Sequence, residues 1–135
     1  MLNVALVQMA PVWLNGKATL EKMCDRLDSA ASNGAQLAVF GEALLPGYPF
    51  WPDLTGGAKF DDERQKELFA HYAANAVDVE AGGLEPLCSV ARRHGVAVYA
   101  GLIERSRERG GFSLYACLAF IDPEGRIRST HRKLM

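Results

Sequence analysis

Short apolar runs alternate along this chain with longer segments in which apolar residues recur at helical spacing. Leu2 to Gln8 is an apolar run ended by Ala10-Pro11, the pattern of a strand buried between layers. Asn15 can cap a helix whose stripe of Leu20, Met23, Leu27, Ala30 and Ala31 follows the 3.6-residue period and stops at Asn33-Gly34. Gln36 to Phe40 predicts a second short strand, running into a turn-rich break at Gly41-Glu42. From Leu45 to Gly57 the spacing of Pro46, Gly47, Pro49, Pro52 and Gly56-Gly57 is too close for a regular element, so this stretch is expected to be irregular.

Asp61-Asp62-Glu63 places negative charge where a helix would begin, with Leu68, Phe69, Tyr72, Ala73, Ala76 and Val77 as its apolar face. Gly82-Gly83 breaks that pattern. A shorter helix follows, with Pro86 in its first turn, Leu87, Cys88 and Ala91 on one side, and Gly95 at its end. Val96 to Leu102 and Leu114 to Ile121 read as strands joined by a charged, glycine-containing connection from Glu104 to Gly111. Asp122-Pro123-Glu124-Gly125 reads as a turn into Arg126 to Thr130, which predicts an antiparallel hairpin. The alternation implies an α/β layered arrangement, with helices covering a mixed sheet on at least one face. No repeat and no convincing linker divides the chain, although Pro46 to Lys59 is a substantial excursion.

Composition narrows the partners. The 135 residues, 49% hydrophobic, suffice for one compact domain. A net charge of -1 with no long run of either sign leaves no footprint for nucleic acid or an anionic membrane, so small neutral or weakly charged partners fit better. Cys24, Cys88 and Cys117 are an odd number without a C-x-x-C pair, which argues for reduced thiols in a cytoplasmic protein and against a disulfide framework or a zinc cluster. The start lacks a signal-peptide pattern, and no apolar run approaches bilayer length.

Candidate chemistry begins at Glu42. It follows a strand directly, and in α/β folds ligands tend to bind in crevices at the carboxyl ends of strands. A carboxylate shielded there by Tyr48 and neighbouring rings could act as a general base. By position alone a solvent-facing or capping glutamate is the more common outcome, and the chemical reading gains weight only with Lys133. An ammonium at a strand end can stabilise the charge of a tetrahedral intermediate, although exposed lysines in such places are ordinary. Arg132 suits a structural ion pair, and His131 fits a surface or hydrogen-bonded role better than that of a base. Tyr48, Phe50 and Trp51 could pack over a pocket and select an apolar substrate group, or simply pin their loop to the core.

Taken together, Val4-Ala5-Leu6-Val7-Gln8, Ala38-Val39-Phe40-Gly41-Glu42-Ala43, Leu45-Pro46-Gly47-Tyr48-Pro49 and Ile121-Asp122-Pro123-Glu124-Gly125 leading to His131-Arg132-Lys133-Leu134-Met135 carry a resemblance. In order and spacing the sequence resembles the nitrilase, or carbon-nitrogen hydrolase, superfamily, and specifically its nitrilase branch. The resemblance implies part of a four-layer α-β-β-α sandwich and a catalytic Glu-Lys-Cys set. Within it, Glu42 falls on the general-base glutamate and Lys133 on the lysine that stabilises the tetrahedral intermediate. The nucleophilic cysteine and a further supporting glutamate of the family lie downstream. Residues 1–135 are therefore expected to be the N-terminal portion of a single domain, ending before the nucleophile, which is expected beyond Met135. Cys24, Cys88 and Cys117 do not match the nucleophile segment and read as small buried hydrophobes.

Two departures are mild. Ala116 stands where much of the family has asparagine, and Gly41 where proline is frequent. The Pro49-Phe50-Trp51-Pro52 run resembles nitrilases more than small amidases and favours an aromatic or arylaliphatic nitrile. The implied reaction converts a nitrile, through a cysteine thioimidate and then a thioester, to a carboxylic acid and ammonia, and calls for no metal, nicotinamide or flavin. An amidase of the same superfamily is the nearest alternative, and a non-catalytic interaction module is another if the chain is complete at 135 residues. The resemblance also implies a homo-oligomer, a dimer or a larger spiral.

Overall fold

The computed structural model of the chain describes residues 1–108 and 113–134. Five strands, β1 (Val4–Val7), β2 (Leu37–Phe40), β3 (Ala97–Arg105), β4 (Leu114–Ile121) and β5 (Ile127–Arg132), form one sheet in sequence order. The first three are parallel, and β4 and β5 add on as antiparallel neighbours, so the sheet is mixed and the hairpin at Asp122–Gly125 is present. Residues 109–111 of the expected connection and Met135 lie outside the described residues. Glu104 and Arg105, expected in that connection, instead extend β3, because β4 pairs with it as far as Arg105 and Leu114.

Helix α1 (Gly16–Ser32) starts where Asn15 accepts a hydrogen bond from the Ala18 amide at 3.0 Å. It packs beside α4 (Glu85–His94) against one sheet face. Met23 and Leu27 from α1 and Leu87, Cys88 and Ala91 from α4 meet Ala38, Phe40, Val98, Ala100, Leu102, Ala119 and Ile121 from the strands. A fully buried leucine such as Leu27 stabilises the fold by about 1.5–3 kcal/mol relative to an exposed one. Pro86 sits in the first turn of α4, where its missing amide costs nothing, and Gly95 ends the helix in the left-handed conformation at φ 65°.

The opposite sheet face differs from the sequence expectation. Leu6 is 80% exposed, and Val4, Tyr99 and Leu118 are exposed on the same face, so among the described residues β1 is covered on one side only. The reason is that α1 and α4 both pack on the other face. Among the described residues, the end of this face near Ile103 is capped by a second apolar cluster of Ala43, Trp51, Tyr72 and Ala76.

Two other expectations change. The stretch expected to be irregular contains a short helix, α2 (Trp51–Thr55), because Pro52 falls in its first turn, where proline is tolerated, and Gly56 caps it at φ 68°. Helix α3 (Glu63–Asn75), capped by Asp62, is shorter than its apolar pattern. Ala76 and Val77 lie beyond it, and Val77 pairs with the β3 edge at Glu104, while Phe69, expected on the apolar face, remains 45% exposed. Among the described residues no helix is long and apolar enough to cross a membrane.

Candidate active site

After Phe40 the chain leaves the sheet. Residues 41–44 rise over the uncovered face and return at Leu45, which pairs with Leu102 on the same edge of β3 that β2 occupies further back. The crossing runs over Gly101. A side-chain carbon there would collide with the Gly41 carbonyl oxygen and come within 2.8 Å of the Glu42 Cα. Ala43, at φ 50°, sits in the left-handed region that disfavours non-glycine residues, so the excursion is held under local strain.

This excursion decides what Glu42 can reach. Strands lie about 4.8 Å apart, so a residue within β2 would be some three spacings, roughly 14 Å, from β5. Lifted over β3, Glu42 is about two spacings, roughly 10 Å, away. Lys133 continues the β5 pairing, with its amide donating to the Ala116 carbonyl at 2.8 Å. Its Nζ then donates to Glu42 Oε1 at 2.8 Å, joining residues 91 positions apart. The small side chain of Ala116 on β4 lies beneath this span.

The two side chains are open to solvent, 61% exposed for Glu42 and 60% for Lys133. The shielding of Glu42 expected from neighbouring rings is thus absent among the described residues, where Tyr48 itself is exposed. The hydrogen bond from Lys133 to Glu42, and then their charge attraction, hold the Lys133 ammonium above its ordinary range. It therefore stays a cation through neutral and mildly alkaline pH.

Two clefts meet at the pair. One, of about 460 Å³, runs along Gly101, Ala116, Leu118 and His131. The other, of about 420 Å³, is walled by Tyr48, Trp51, Phe69, Tyr72, Leu114 and Tyr115. Of the three aromatic residues singled out in the sequence, Tyr48 and Trp51 border this apolar cleft. Phe50 lies instead in a smaller groove of about 220 Å³, beside Met9, Pro11 and Glu42, with its ring 5.0 Å from that of Tyr48. Trp51 is mostly core, packed edge-on at 4.8 Å against Tyr72. The Tyr48 loop is held from both sides: Tyr72 Oη donates to the Gly47 carbonyl at 3.0 Å, and Trp13 Nε1 donates to the Tyr48 carbonyl at 2.9 Å.

Sequence reasoning did not single out Phe69, Tyr72 or Tyr115 as cleft residues. Their helical and strand spacing reads as core, and only tertiary placement brings them to the site. The three cysteines carry no sign of activation. Burial is the main cause that pushes the Cys24 and Cys117 thiols up to about 11, and it raises Cys88 as well. Such thiols stay protonated at neutral pH and are poor nucleophiles.

Relatives place this geometry in context. The chain is 37% identical over 136 residues to an arylacetonitrilase of Aspergillus niger, an alignment covering 98% of this chain and 36% of that protein. It is 36% identical over 133 residues to a protein named nitrilase 2 from an unknown prokaryotic organism, covering 98% and 40%. An aliphatic nitrilase of Rhodococcus rhodochrous is 36% identical over 136 residues, covering 98% and 34%. The chain thus spans between about a third and two fifths of the length of these relatives. Among solved structures, an amidase from Nesterenkonia sp. superposes with a TM-score of 0.66 at 18% identity, covering 99% of this chain and 43% of that one. The NitFhit protein of C. elegans superposes at 0.69 and 14% identity, covering 100% and 29%. These last two likenesses concern the fold alone. The carbon-nitrogen hydrolase family matches residues 3–135, which include every residue that builds the sheet, the excursion and the Glu42–Lys133 contact, and the chain belongs to that family.

Proposed function

We propose that the full-length protein carrying this chain is a nitrilase, hydrolysing an organic nitrile with an aromatic or arylaliphatic group to a carboxylic acid and ammonia. The observation that carries the reading is the 2.8 Å contact between Lys133 Nζ and Glu42 Oε1 at the junction of an aromatic-walled cleft and a second cleft along Gly101, Ala116 and His131. The nitrilase names of the relatives support the choice of substrate class.

The nucleophile is a cysteine thiol supplied from beyond residue 135. The greater length of the relatives and the inert placement of Cys24, Cys88 and Cys117 support this. Glu42 takes the thiol proton as the sulfur adds to the nitrile carbon, and the nitrogen gains a proton to give a thioimidate. Water adds to that carbon, the carbon–nitrogen bond breaks, and ammonia leaves a thioester. A second water releases the acid and restores the thiol. Lys133, kept cationic by Glu42, stabilises the charge that builds in each tetrahedral species. The protein acts in the cytoplasm as a homo-oligomer, a dimer or a larger spiral, which light scattering on the purified full-length protein would test.

In the full-length protein, Glu42→Gln is expected to lower ammonia release from a phenylacetonitrile-type substrate by about 10²–10⁴-fold with the fold retained by circular dichroism. Undiminished turnover would remove Glu42 from the base role. Matched nitriles and amides assayed side by side distinguish the nitrilase from an amidase. Faster ammonia release from the amides would reverse the assignment.

A further inference from the structure

Lys133 is aimed by backbone rather than by walls, since most of its side chain is open to solvent. What fixes that backbone is the residue before it. Arg132 stands opposite Cys117 in the β4–β5 register and the Lys133 amide bonds to Ala116, so the pleat turns Arg132 and Lys133 to opposite faces of the sheet. On its own face Arg132 reaches over β4 to β3. Its Nε and Nη2 donate to Glu104 Oε2 and Oε1 at 2.7 and 3.0 Å, a two-pronged pair whose carboxylate is only 9% exposed. The guanidinium lies 4.4 Å from the centre of the Tyr115 ring, and Ser106 Oγ and Glu108 Oε2 accept from it at 3.4 Å.

This arrangement ties β5 to β3 across β4 at the very residue that precedes Lys133. A fork bound at both prongs fixes the plane of the guanidinium as well as its distance, which a lysine ammonium cannot do. Because side chains alternate, fixing Arg132 also fixes the direction in which Lys133 departs on the other face.

We propose that Arg132 is a positioning residue: clamped by the buried Glu104 carboxylate, it holds the end of β5 so that Lys133 Nζ stays within hydrogen-bond reach of Glu42. The proposal rests on the reading of Glu42 and Lys133 as the catalytic pair. A displacement of about an ångström at a reacting group can cost about a hundredfold in rate, so loosening the clamp is a kinetic event even where the fold survives.

The test uses the full-length protein, steady-state kinetics, and brief acetic anhydride labelling of Lys133 read by mass spectrometry. Arg132→Gln is expected to lower kcat by at least about tenfold and to raise the acetylation rate of Lys133, as Glu42→Gln does by removing its partner. KM should stay within about threefold of the parent value, since no binding contact is removed. Glu104→Gln, which keeps the shape of the side chain and loses its charge, should give the same pattern and stands in if Arg132→Gln does not accumulate folded. Leu27→Ala, in the distant core, provides a variant that lowers Tm without altering either readout. Unchanged Lys133 labelling in both clamp variants would overturn the proposal, as would a fall in kcat no larger than that of Leu27→Ala. Full turnover by Lys133→Ala would instead remove the catalytic reading itself, a result separate from what the labelling of Arg132→Gln shows about the clamp.

Discussion

Gly101 shows how a residue without a side chain can decide where a carboxylate is placed. Its own backbone is not left-handed, so what the site needs from it is space beneath the strand crossing that carries Glu42. Gly101→Ala is expected to destabilise the fold by about 1–3 kcal/mol, the range of an overpacked core, and to lower kcat more than it changes KM. Gly41→Ala makes the contrast, because a side-chain carbon at Gly41 meets nothing within 4 Å, and thermal melts with steady-state assays on the two full-length variants would check both. Equal tolerance of the two changes would contradict this account of the crossing. The motifs of the sequence single out Glu42 and Lys133, and the structure brings the two side chains together. The requirement at Gly101 was not legible there, because a glycine inside an apolar run carries no mark of what passes above it. Arg132 was legible as an ion-pair former, while its partner Glu104, expected in a connection, acquires its meaning only when β3 extends to meet β4.

At the scale of elements, local signals performed best where a cap and a stripe agreed. Asn15 with the Met23 and Leu27 stripe, and Pro86 with Gly95, mark α1 and α4 close to their observed ends. Helix α2 escaped because closely spaced prolines usually forbid a helix, whereas Pro52 falls within the first turn. The β4–β5 turn is the element that brings Lys133 back toward the site, and Asp122 organises it. Its Oδ1 accepts from the Arg126 and Glu124 amides at 2.8 and 3.1 Å, and its Oδ2 faces the Arg126 and Arg128 guanidinium groups. Burial alone would raise the Asp122 pKa, but these hydrogen bonds and charges outweigh it and hold it below the ordinary 3.8. A depressed folded value means that this carboxylate stabilises the fold above pH 3.8 and that its contribution disappears as pH falls through the lower folded value. Asp122→Asn in the full-length protein is therefore expected to lower Tm at pH 7 and to narrow its difference from the parent below about pH 4. Melting curves across that range would check it, and a gap that widens on acidification would contradict the sign.

For the molecule as a whole, the division of its two sheet faces matters most. One is sealed by α1 and α4; the other presents Val4, Leu6, Tyr99 and Leu118, with the Tyr99 and Phe120 rings 4.8 Å apart. An apolar surface of this kind favours association. Residues 1–135 produced alone are expected to bind a hydrophobic dye and to elute at sizes that grow with concentration, and Leu6→Lys with Leu118→Lys should reduce both. A monomeric elution without dye binding would contradict the expectation. Alternation along the strands predicted helices over a mixed sheet, but no pattern within one chain says how many faces its own helices will cover.

The order of strand directions has a further consequence. β1, β2 and β3 run the same way, β4 reverses, and β5 reverses again, so the ends of β2 and β5 open on the same rim of the sheet. Partnership between Glu42 and Lys133 thus depends on the parity of the strands that separate them. Inserting or deleting a single strand between β3 and β5 would send the lysine to the far rim however well each local motif were preserved. Adding strands in pairs would keep both groups on one rim while widening the gap between them. The number of strands between β3 and β5 is therefore the feature on which the contact depends.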